Sequence, residues 1–237
     1  MIFSNTEVWG FEHAIRGARN PMNSWDKSDS FYETGTDPFT LEDWTATEIT
    51  IGPNDMNLLQ RLVKAGPEHR KFMRQIIVSV DITAPLYWWK EFDTYKVGTV
   101  ANSTSTMHKL ATTPITLNCF ETDDLNINFR LPLEEGTVAS MEQWLNAVID
   151  GCESLRQKYL KTKDKKYWKE LIRWLPESWL QTRTVTMNYE NLLGMCSKRQ
   201  RRFHKLTEWS DSFIEWARSL PYAQELIFID ELEDETE

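Results

Sequence analysis

The sequence predicts a mixed α/β (α+β) fold with a central sheet and long helices. Three observations support this class. Residues 72–83 ("FMRQIIVSVDIT") alternate apolar and polar side chains, many of them β-branched, which is typical of a strand buried on one face. Residues 138–159 carry apolar side chains at helical spacing, which indicates a long amphipathic helix. Hydrophobic residues make up 41% of the 237-residue chain, which is enough to build a full core.

The first part of the chain is expected to be irregular. Residues 1–50 show no sustained period and contain turn-forming clusters, so we expect an irregular N-terminal third with a short strand near 7–11. From Asn54 onward, apolar residues recur at helical spacing until "AGP" at 65–67 ends the run, which predicts a short amphipathic helix. A further helix is expected to begin at Pro85, because proline is favoured at the first helical position.

The remainder of the chain is predicted to alternate short strands with helices. Thr137 is expected to cap a long helix, and Pro176 is expected to end the next helix. The expected elements are, in order, strands at 114–122 and 127–134, helices at 137–159 and 165–175, a strand at 182–188, and helices at 189–203 and 207–220. Because no internal repeat or linker interrupts this pattern, we interpret 1–229 as a single domain and 230–237 as an acidic tail.

The charge balance limits the class of ligand. A formal net charge of −9 and a pI near 5.1 argue against a general nucleic-acid-binding protein, because such proteins concentrate cations against the phosphate backbone. A small phosphorylated ligand needs only a local basic pocket and is compatible with this charge.

Cysteine and histidine spacing gives no sign of a disulfide framework or a metal site. The three cysteines form no CxxC pair, and the four histidines form no HxH or HxxxH pair. The sequence also lacks the glycine-rich phosphate loops and the GxSxG motif of hydrolases. No apolar run approaches the roughly 18 residues that a membrane span requires. We therefore expect a cytoplasmic protein without a metal.

The densest cationic stretch, "SKRQRRFHK" at 197–205, has two interpretations. Cations at a helix C-terminus favour the helix dipole and often form only a solvated surface. An arginine in this stretch can instead grip a phosphate through two hydrogen bonds, which would make the segment an anion site. These residues alone leave both interpretations open.

Several short motifs follow one another in a distinctive order. A short helix ends in "KAGPEH", a strand ends in "VDITAP", and an aromatic helix and a Ser/Thr/Asn loop come next. A long helix, an Arg-Trp-Leu-Pro segment and "TMNYENLLGMCSKR" complete the series. Over residues 54–220, with a weaker similarity at "HAIRGARN", this order resembles the flavin-dependent thymidylate synthase family. The resemblance implies a single thymidylate synthase-like domain.

The resemblance implies a flavin site in the loop after the aromatic helix. The family has Arg-His-Arg in this loop. Counting from Ala84–Pro85, these positions fall on Thr94, Tyr95 and Lys96, so only the last one keeps a cation. In the family a string of Ser, Asn, Glu, Ser and Arg follows this motif. With one residue inserted, the Asn of that string falls on Asn102. Tyr95, Lys96 and Asn102 are therefore expected near FAD.

The same family string implies a nucleotide site. Its second Ser falls on Ser105, whereas its Glu and its final Arg fall on Ser103 and Met107 and are lost. His108 and Lys109 lie beside the position of the missing Arg and can replace its charge. We therefore expect Ser105, His108 and Lys109 to contact a pyrimidine nucleotide.

The C-terminal part keeps two intervals of the family. A flavin-contacting Asn follows the Leu-Pro by twelve residues and a nucleotide-binding Arg follows that Asn by eleven. Pro176, Asn188 and Arg199 keep both intervals. The Arg before the Leu-Pro corresponds to Arg173, displaced by one residue. The resemblance therefore implies Asn188 at FAD, and Arg199 and Arg173 at the nucleotide.

The family's chemistry leaves three hypotheses open. Members transfer a methylene group from a folate to C5 of deoxyuridylate and complete the reduction with flavin hydride, usually as homotetramers. Because no protein nucleophile is needed, no catalytic residue is assigned. The chain is then a divergent synthase acting on dUMP or a related pyrimidine nucleotide, a non-catalytic descendant that binds or sequesters a nucleotide or acts as a regulator, or a structural interaction protein. The lost cations favour the second hypothesis over the first, and the intervals at Asn188 and Arg199 favour a retained nucleotide site over the third.

Overall fold

The structure is a computed structural model that describes residues 1–37, 40, 43–95, 97–132 and 138–232. The chain divides into two compact units. Unit 1 comprises Met1–Ile2, Asp81–Thr94 and Ala101–Thr184, and unit 2 comprises Phe3–Val80, Tyr95–Val100 and Val185–Glu237. The predicted domain boundaries at 1–229 and 230–237 stay a prediction.

The strands build one central sheet and two small hairpins. The strands are β1 (Ile2–Trp9), β2 (Phe31–Thr36), β3 (Asp43–Thr50), β4 (Ile77–Pro85), β5 (Val100–Ser103), β6 (Arg130–Pro132), β7 (Val138–Ser140) and β8 (Leu180–Asn188). The central sheet has the order β1-β4-β8-β5, and the antiparallel pairs β2–β3 and β6–β7 form the hairpins. Alternate residues of β4 are buried because successive side chains of a strand point to opposite faces. The predicted central strand is therefore confirmed.

Helices supply most of the remaining regular structure. They are α1 (Phe11–Arg19), α2 (Pro53–Lys64), α3 (Leu86–Phe92), α4 (Thr106–Lys109), α5 (Met141–Thr162), α6 (Lys165–Trp174), α7 (Tyr189–Met195), α8 (Lys198–Phe203), α9 (Ile214–Arg218) and α10 (Ala223–Leu226). A π-helical segment, Glu208–Phe213, leads directly into α9. The mixture of a central sheet with helices confirms the predicted fold class. In the part of the chain that is described, no helix is both long and apolar enough to cross a bilayer.

Unit 1 has its core between the helical hairpin α5–α6 and the segment that follows α4. Six buried residues form this core: Leu110, Ile115, Phe120, Ile149, Cys152 and Leu171. Helix α3 begins after Pro85, as predicted, and buries Trp88, Trp89 and Phe92. The Nε1–H of Trp89 donates to the carbonyl oxygen of Gln181 at 3.0 Å. The aromatic helix therefore contributes mainly to the core.

Unit 2 packs several short helical segments against one another. Helix α1 packs against α2, and the 3₁₀ segment Lys71–Gln75 packs against α1 and α7. Leu59 and Val63 lie one turn apart on α2 and are both buried, which confirms the predicted amphipathic helix. Pro53 occupies the first helical position of α2, where its missing N–H costs nothing.

The predicted irregularity of the N-terminal third is wrong, although the short strand expected near 7–11 overlaps the end of β1. Residues 1–50 contain β1, α1, β2 and β3. Strand β1 lies at the edge of the sheet and six of its eight residues are exposed, so no apolar alternation marks it in the sequence. Helix α1 buries Phe11, Ala14 and Ile15 at helical spacing, but its nine residues are fewer than the window of 11–18 over which such a period is assessed.

Three further predicted elements differ from the structure. Residues 114–122 form a short 3₁₀ helix, Leu117–Cys119, and a single bridge at Phe120 instead of a strand. Ser140 caps α5, and Thr137 itself lies outside the described residues. The expected helix at 189–203 is broken, because Ser197 has an extended backbone and starts α8 as a new helix.

The start of the predicted acidic tail is part of unit 2. Asp230 and Glu231 lie 3.3 Å and 3.1 Å from the guanidinium of Arg201, and Glu231 also pairs with Arg218 at 2.7 Å. These two acidic residues are therefore structural anions. Residues 233–237 lie outside the described part of the chain.

Candidate functional site

Asn188, which the resemblance assigns to flavin, caps a helix. It ends β8, and its Oδ1 accepts a hydrogen bond from the backbone N–H of Asn191 at 3.0 Å. The Oδ1 of Asn191 accepts in turn from the backbone N–H of Asn188 at 3.1 Å. This reciprocal pair is a capping box, which satisfies donors that the first turn of α7 would otherwise leave unpaired. The side chain of Asn188 thus has a structural partner within its own unit.

The loop at 97–98 packs against these two asparagines. The Nδ2 of Asn191 donates to the carbonyl oxygen of Val97 at 2.6 Å. Gly98 has φ +81°, and a Cβ atom there would lie 3.3 Å from the amide of Asn191 and 3.4 Å from Nδ2 of Asn188. Both the left-handed backbone and the close approach favour glycine at this position.

Tyr95, at the position of the family's His, belongs to an aromatic group. Its hydroxyl lies 3.0 Å from Nε2 of His204, and its ring centroid lies 5.2 Å from that of Trp209. His204 stacks on Trp209 with centroids 4.0 Å apart, and both rings are buried. We call these three residues the Tyr95 cluster. An aromatic partner for the ring explains why a tyrosine suits this position, and sequence reasoning did not identify either partner.

The neighbouring motif positions present no cation in the described structure. The hydroxyl of Thr94 donates to the carbonyl oxygen of Glu91 at 2.8 Å and so folds back onto α3. Lys96 lies outside the described residues. Asn102 is exposed on β5.

Unit 1 contains a cation beside α3 that sequence reasoning missed. Arg183 on β8 lies with its guanidinium 4.2 Å from the ring centroid of Trp89 and 3.0 Å from Oδ1 of Asp93. Its Nε–H donates to Oε1 of Gln181 at 3.0 Å. The only sequence signal was an arginine inside a strand pattern, which does not reveal a partner on another element.

Ser105 and Lys109 are brought together by one helical turn. The backbone N–H of Lys109 donates to the carbonyl oxygen of Ser105 at 2.9 Å, and the Lys109 side chain is exposed. The side chain of His108, between them, lies outside the described part of the structure. The preceding loop is tied to β8, since Thr104 donates its N–H to the carbonyl oxygen of Thr182 at 2.8 Å.

Arg173 is exposed on α6 and forms an ion pair with Glu170 of the same helix. This i, i+3 pair is a surface interaction, and such pairs contribute only about 0.2–1 kcal/mol, so a ligand phosphate can displace it. The predicted residues therefore divide between the units. Unit 1 holds Asn102, Ser105, Lys109 and Arg173, and unit 2 holds Tyr95, Asn188 and Arg199.

Arg199 and Arg201 differ although they share α8. The guanidinium of Arg201 contacts Asp230, Glu231 and the carbonyl oxygen of Cys196. Arg199 is exposed in the first turn of the helix, and within the described ranges it has no ion-pair partner. Arg199 is therefore accessible to an external anion, whereas Arg201 holds the C-terminal segment of unit 2.

Cys196 precedes this helix but cannot serve as a nucleophile. Burial raises the pKa of its thiol far above neutral pH, which keeps the sulfur protonated. Among the described residues, no group of three or more His, Cys, Asp or Glu side chains is arranged to hold a metal ion. The exposed Arg199, in contrast to the buried Cys196, is suited to binding an anion.

Comparison with known proteins gives a result only at the level of structure. The sequence matches no protein-family model and no curated protein. The flavin-dependent thymidylate synthase ThyX from Helicobacter pylori, solved with FAD and dUMP, is similar with a TM-score of 0.64 and 16% identity, over 97% of this chain and 99% of that chain. The UMP/dUMP methylase PolB from Streptomyces cacaoi, bound with 5-Br dUMP, is similar with a TM-score of 0.59 and 16% identity, over 96% and 95% of the two chains.

At these identities the similarity concerns the fold, and it extends over nearly the whole length of each chain. The sequence resemblance had implied this fold from the order of its motifs alone. The chain has the fold of the flavin-dependent thymidylate synthases.

Proposed function

We propose that the protein is a divergent thymidylate synthase-like protein that binds a pyrimidine deoxynucleotide, with Arg199 gripping its phosphate. The accessibility of Arg199 carries the proposal. It keeps the family's interval from Asn188 and is exposed, while the neighbouring Arg201 is occupied by carboxylates. A guanidinium can bind a phosphate through two parallel hydrogen bonds. The nucleotides bound to the structurally similar ThyX and PolB proteins support a pyrimidine nucleotide as the ligand class.

Ser105, Lys109, Arg173 and His108 are the further residues that the resemblance assigns to the nucleotide. Lys109 is exposed and Arg173 has only a surface ion pair, so both can contact an anion without breaking a buried interaction. We propose these residues of unit 1 as nucleotide contacts, as the resemblance implies.

The residues present do not fit the flavin arrangement that the resemblance implies. Of the residues assigned to FAD, Tyr95 uses its hydroxyl at His204 and Asn188 uses Oδ1 to cap α7, so these two atoms already have partners. Asn102 is exposed, and Lys96 is outside the described residues. We therefore derive no flavin-dependent step. The geometry favours the non-catalytic, nucleotide-binding alternative over C5 methylation with folate and FAD.

A thermal shift measurement tests nucleotide binding. Saturation with dUMP at about 100 times its Kd should stabilise the protein by about 2.7 kcal/mol, which corresponds to a rise in Tm of roughly 5–10 °C for a chain of this size. Arg199→Ala should remove most of this rise. Arg202→Ala is the matched control, because Arg202 is also exposed on α8 but does not keep the family's interval. If dUMP and UMP leave the Tm of the wild type unchanged, nucleotide binding is rejected.

An absorbance spectrum distinguishes a non-catalytic nucleotide-binding protein from a flavin-dependent enzyme. The purified protein should be colourless and should take up no added FAD, because the Tyr95 hydroxyl and Oδ1 of Asn188 are bonded within the chain and Thr94 replaces one of the family's cations. A stoichiometric yellow chromophore would instead restore the enzymatic alternative, with C5 methylation of a pyrimidine nucleotide as its activity.

A further inference from the structure

The tip of the α5–α6 hairpin concentrates positive charge on an acidic protein. Residues 157–169 contain six lysines and one acidic residue, Asp164, whereas the whole chain carries −9. All six lysines are exposed: Lys158, Lys161, Lys163, Lys165, Lys166 and Lys169. Only Lys166 has an ion-pair partner in the described ranges, Asp164 at 3.1 Å. This uncompensated charge attracts an anionic partner.

An apolar groove lies beside these lysines, between α5 and α6. It has a volume of about 510 Å³, and Val148 and Leu155 of α5 line it together with Tyr167 and Trp174 of α6. Trp174 is 66% exposed although it is a large apolar side chain. The groove therefore offers apolar surface that the hairpin itself does not cover.

Gly151 lies in this groove, in the middle of the 22-residue helix α5. A Cβ atom added there would meet nothing within 4 Å. A glycine in a helix interior destabilises the helix by roughly 0.5–1 kcal/mol relative to alanine, so the packing of the chain does not account for it. Glycine does permit the close approach of another backbone.

We infer that the α5–α6 hairpin docks an acidic amphipathic helix of a partner protein. Apolar side chains of that helix would enter the groove, its backbone would pass over Gly151, and its carboxylates would face the lysines. The groove extends from Val148 to Lys158 along α5, eleven residues that span about 15 Å, so three turns of a partner helix fill it.

The other occupants of this surface are disfavoured by the same observations. A symmetric contact with a second copy through this hairpin would bring the lysines of both chains together, and like charges repel. A single-stranded nucleic acid would need free aromatic faces for stacking. The ring of Tyr167 already has Lys166 at 5.0 Å and Lys158 at 5.9 Å from its centroid, so among the described residues Trp174 is the one exposed aromatic ring in the lining of this groove and successive bases would find no second ring.

A labelled peptide tests the inference on the full-length protein. The probe is a fluorescein-labelled helix of about 14 residues with leucines at i, i+4 and i+7 and glutamates on both flanks of that stripe. It should bind in fluorescence anisotropy, with an affinity that falls as the salt concentration rises. Lys161→Glu/Lys165→Glu should weaken binding at least tenfold. Lys27→Glu/Lys71→Glu, which reverses two exposed lysines elsewhere, should leave binding within twofold.

Substitutions at Gly151 separate docking from folding. Gly151→Ala should raise the Tm, because alanine is the better helix former and meets no atom, yet it should weaken peptide binding. Gly151→Leu should abolish binding by filling the groove. If one variant folds poorly, as judged by circular dichroism, the other still tests the inference.

Three results would overturn the inference. The first is equal binding of a peptide with the same composition in scrambled order. The second is tighter binding of a single-stranded oligonucleotide of equal charge, which would make the hairpin a nucleic-acid surface. The third is a change of oligomeric state in Lys161→Glu/Lys165→Glu, which would make it an interface between copies of the chain.

Discussion

Asp55 shows how a single buried carboxylate organises the N-terminal part of unit 2. Its side chain is fully buried, and its Oδ1 accepts from Nε of Arg19 at 2.5 Å. Its Oδ2 accepts from the hydroxyls of Ser28 and Ser30, both at 2.6 Å. Burial alone would raise the pKa of Asp55, but these donors and Arg19 outweigh it and lower the pKa below 3.8. One carboxylate thus links α1, α2 and the segment before β2.

Glu153 of unit 1 predicts a dependence of stability on pH. Hydrogen bonds from Arg156 lower its pKa from 4.5 to about 2 against the opposing effect of burial, and the N–H of Ile115 and the amide of Gln157 add to the shift. Because the folded pKa is lower than the unfolded one, this stabilisation is fully present above pH 4.5. It is lost as the pH falls from about 4.5 towards about 2.

Urea unfolding at several pH values checks this prediction. Glu153→Gln should be less stable than the wild type at pH 6, and the difference should shrink between pH 4.5 and pH 2.5, where the carboxylate is progressively protonated in the unfolded state. Asp150→Asn, at an exposed position in the middle of the same helix, is the control and should show no such convergence. A constant difference at all pH values would contradict the assigned role of Glu153.

The start of α5 is the clearest prediction at the scale of an element. The hydroxyl of Ser140 accepts from the backbone N–H of Gln143 at 3.1 Å, and Oε1 of Gln143 accepts from the backbone N–H of Ser140 at 2.9 Å. Ser140→Ala removes one half of this capping box and should destabilise the protein by about 1 kcal/mol.

The control variant for Ser140→Ala is Ser140→Asp, which keeps an oxygen acceptor at the same position. It should stay within a few tenths of a kcal/mol of the wild type in urea unfolding. Equal losses in Ser140→Ala and Ser140→Asp would show that the hydroxyl is needed for something other than capping.

The sequence predicted the elements whose burial is periodic. Helix α2 and strands β4 and β8 bury alternate or helically spaced apolar residues, and each was predicted within a few residues of its observed bounds. The "SMEQ" at 140–143 is a capping-box pattern that marks the true start of α5, which the expected cap at Thr137 overlooked. Strand β1 could not be predicted in this way, because an exposed edge strand carries no apolar alternation.

The candidate site was less predictable than the fold, because its contacts join residues distant in sequence. Intervals from the family led to Asn188 and Arg199, but they gave no indication that Asn188 caps α7. The Tyr95 cluster joins a loop to residues more than 100 positions later, and no local pattern reveals such a contact. Arg201 was grouped with Arg199 as one cationic stretch, although Asp230 and Glu231 neutralise only Arg201.

At the scale of the whole molecule, the family resemblance predicts a homotetramer. The fold is similar to that of ThyX over 97% of the chain, whereas the expected association rests on the family resemblance of the sequence alone. Sedimentation velocity at micromolar concentration should give a mass of four 28.0 kDa chains. A monomer at every concentration would contradict this expectation without affecting the fold. When the oligomeric state of Lys161→Glu/Lys165→Glu is compared with that of the wild type, Lys27→Glu/Lys71→Glu serves as a control for non-specific effects of charge.

The pairing of Arg201 with Asp230 and Glu231 has a consequence for how new binding capacity can arise. These carboxylates compete with any external anion for the guanidinium of Arg201, which lies two residues after Arg199. Neutral substitutions of both carboxylates would remove the ion pairs of Arg201. Two substitutions would therefore provide a second arginine for a ligand with two phosphate groups. The acidic end of unit 2 therefore keeps Arg201 from contributing to the proposed anion site.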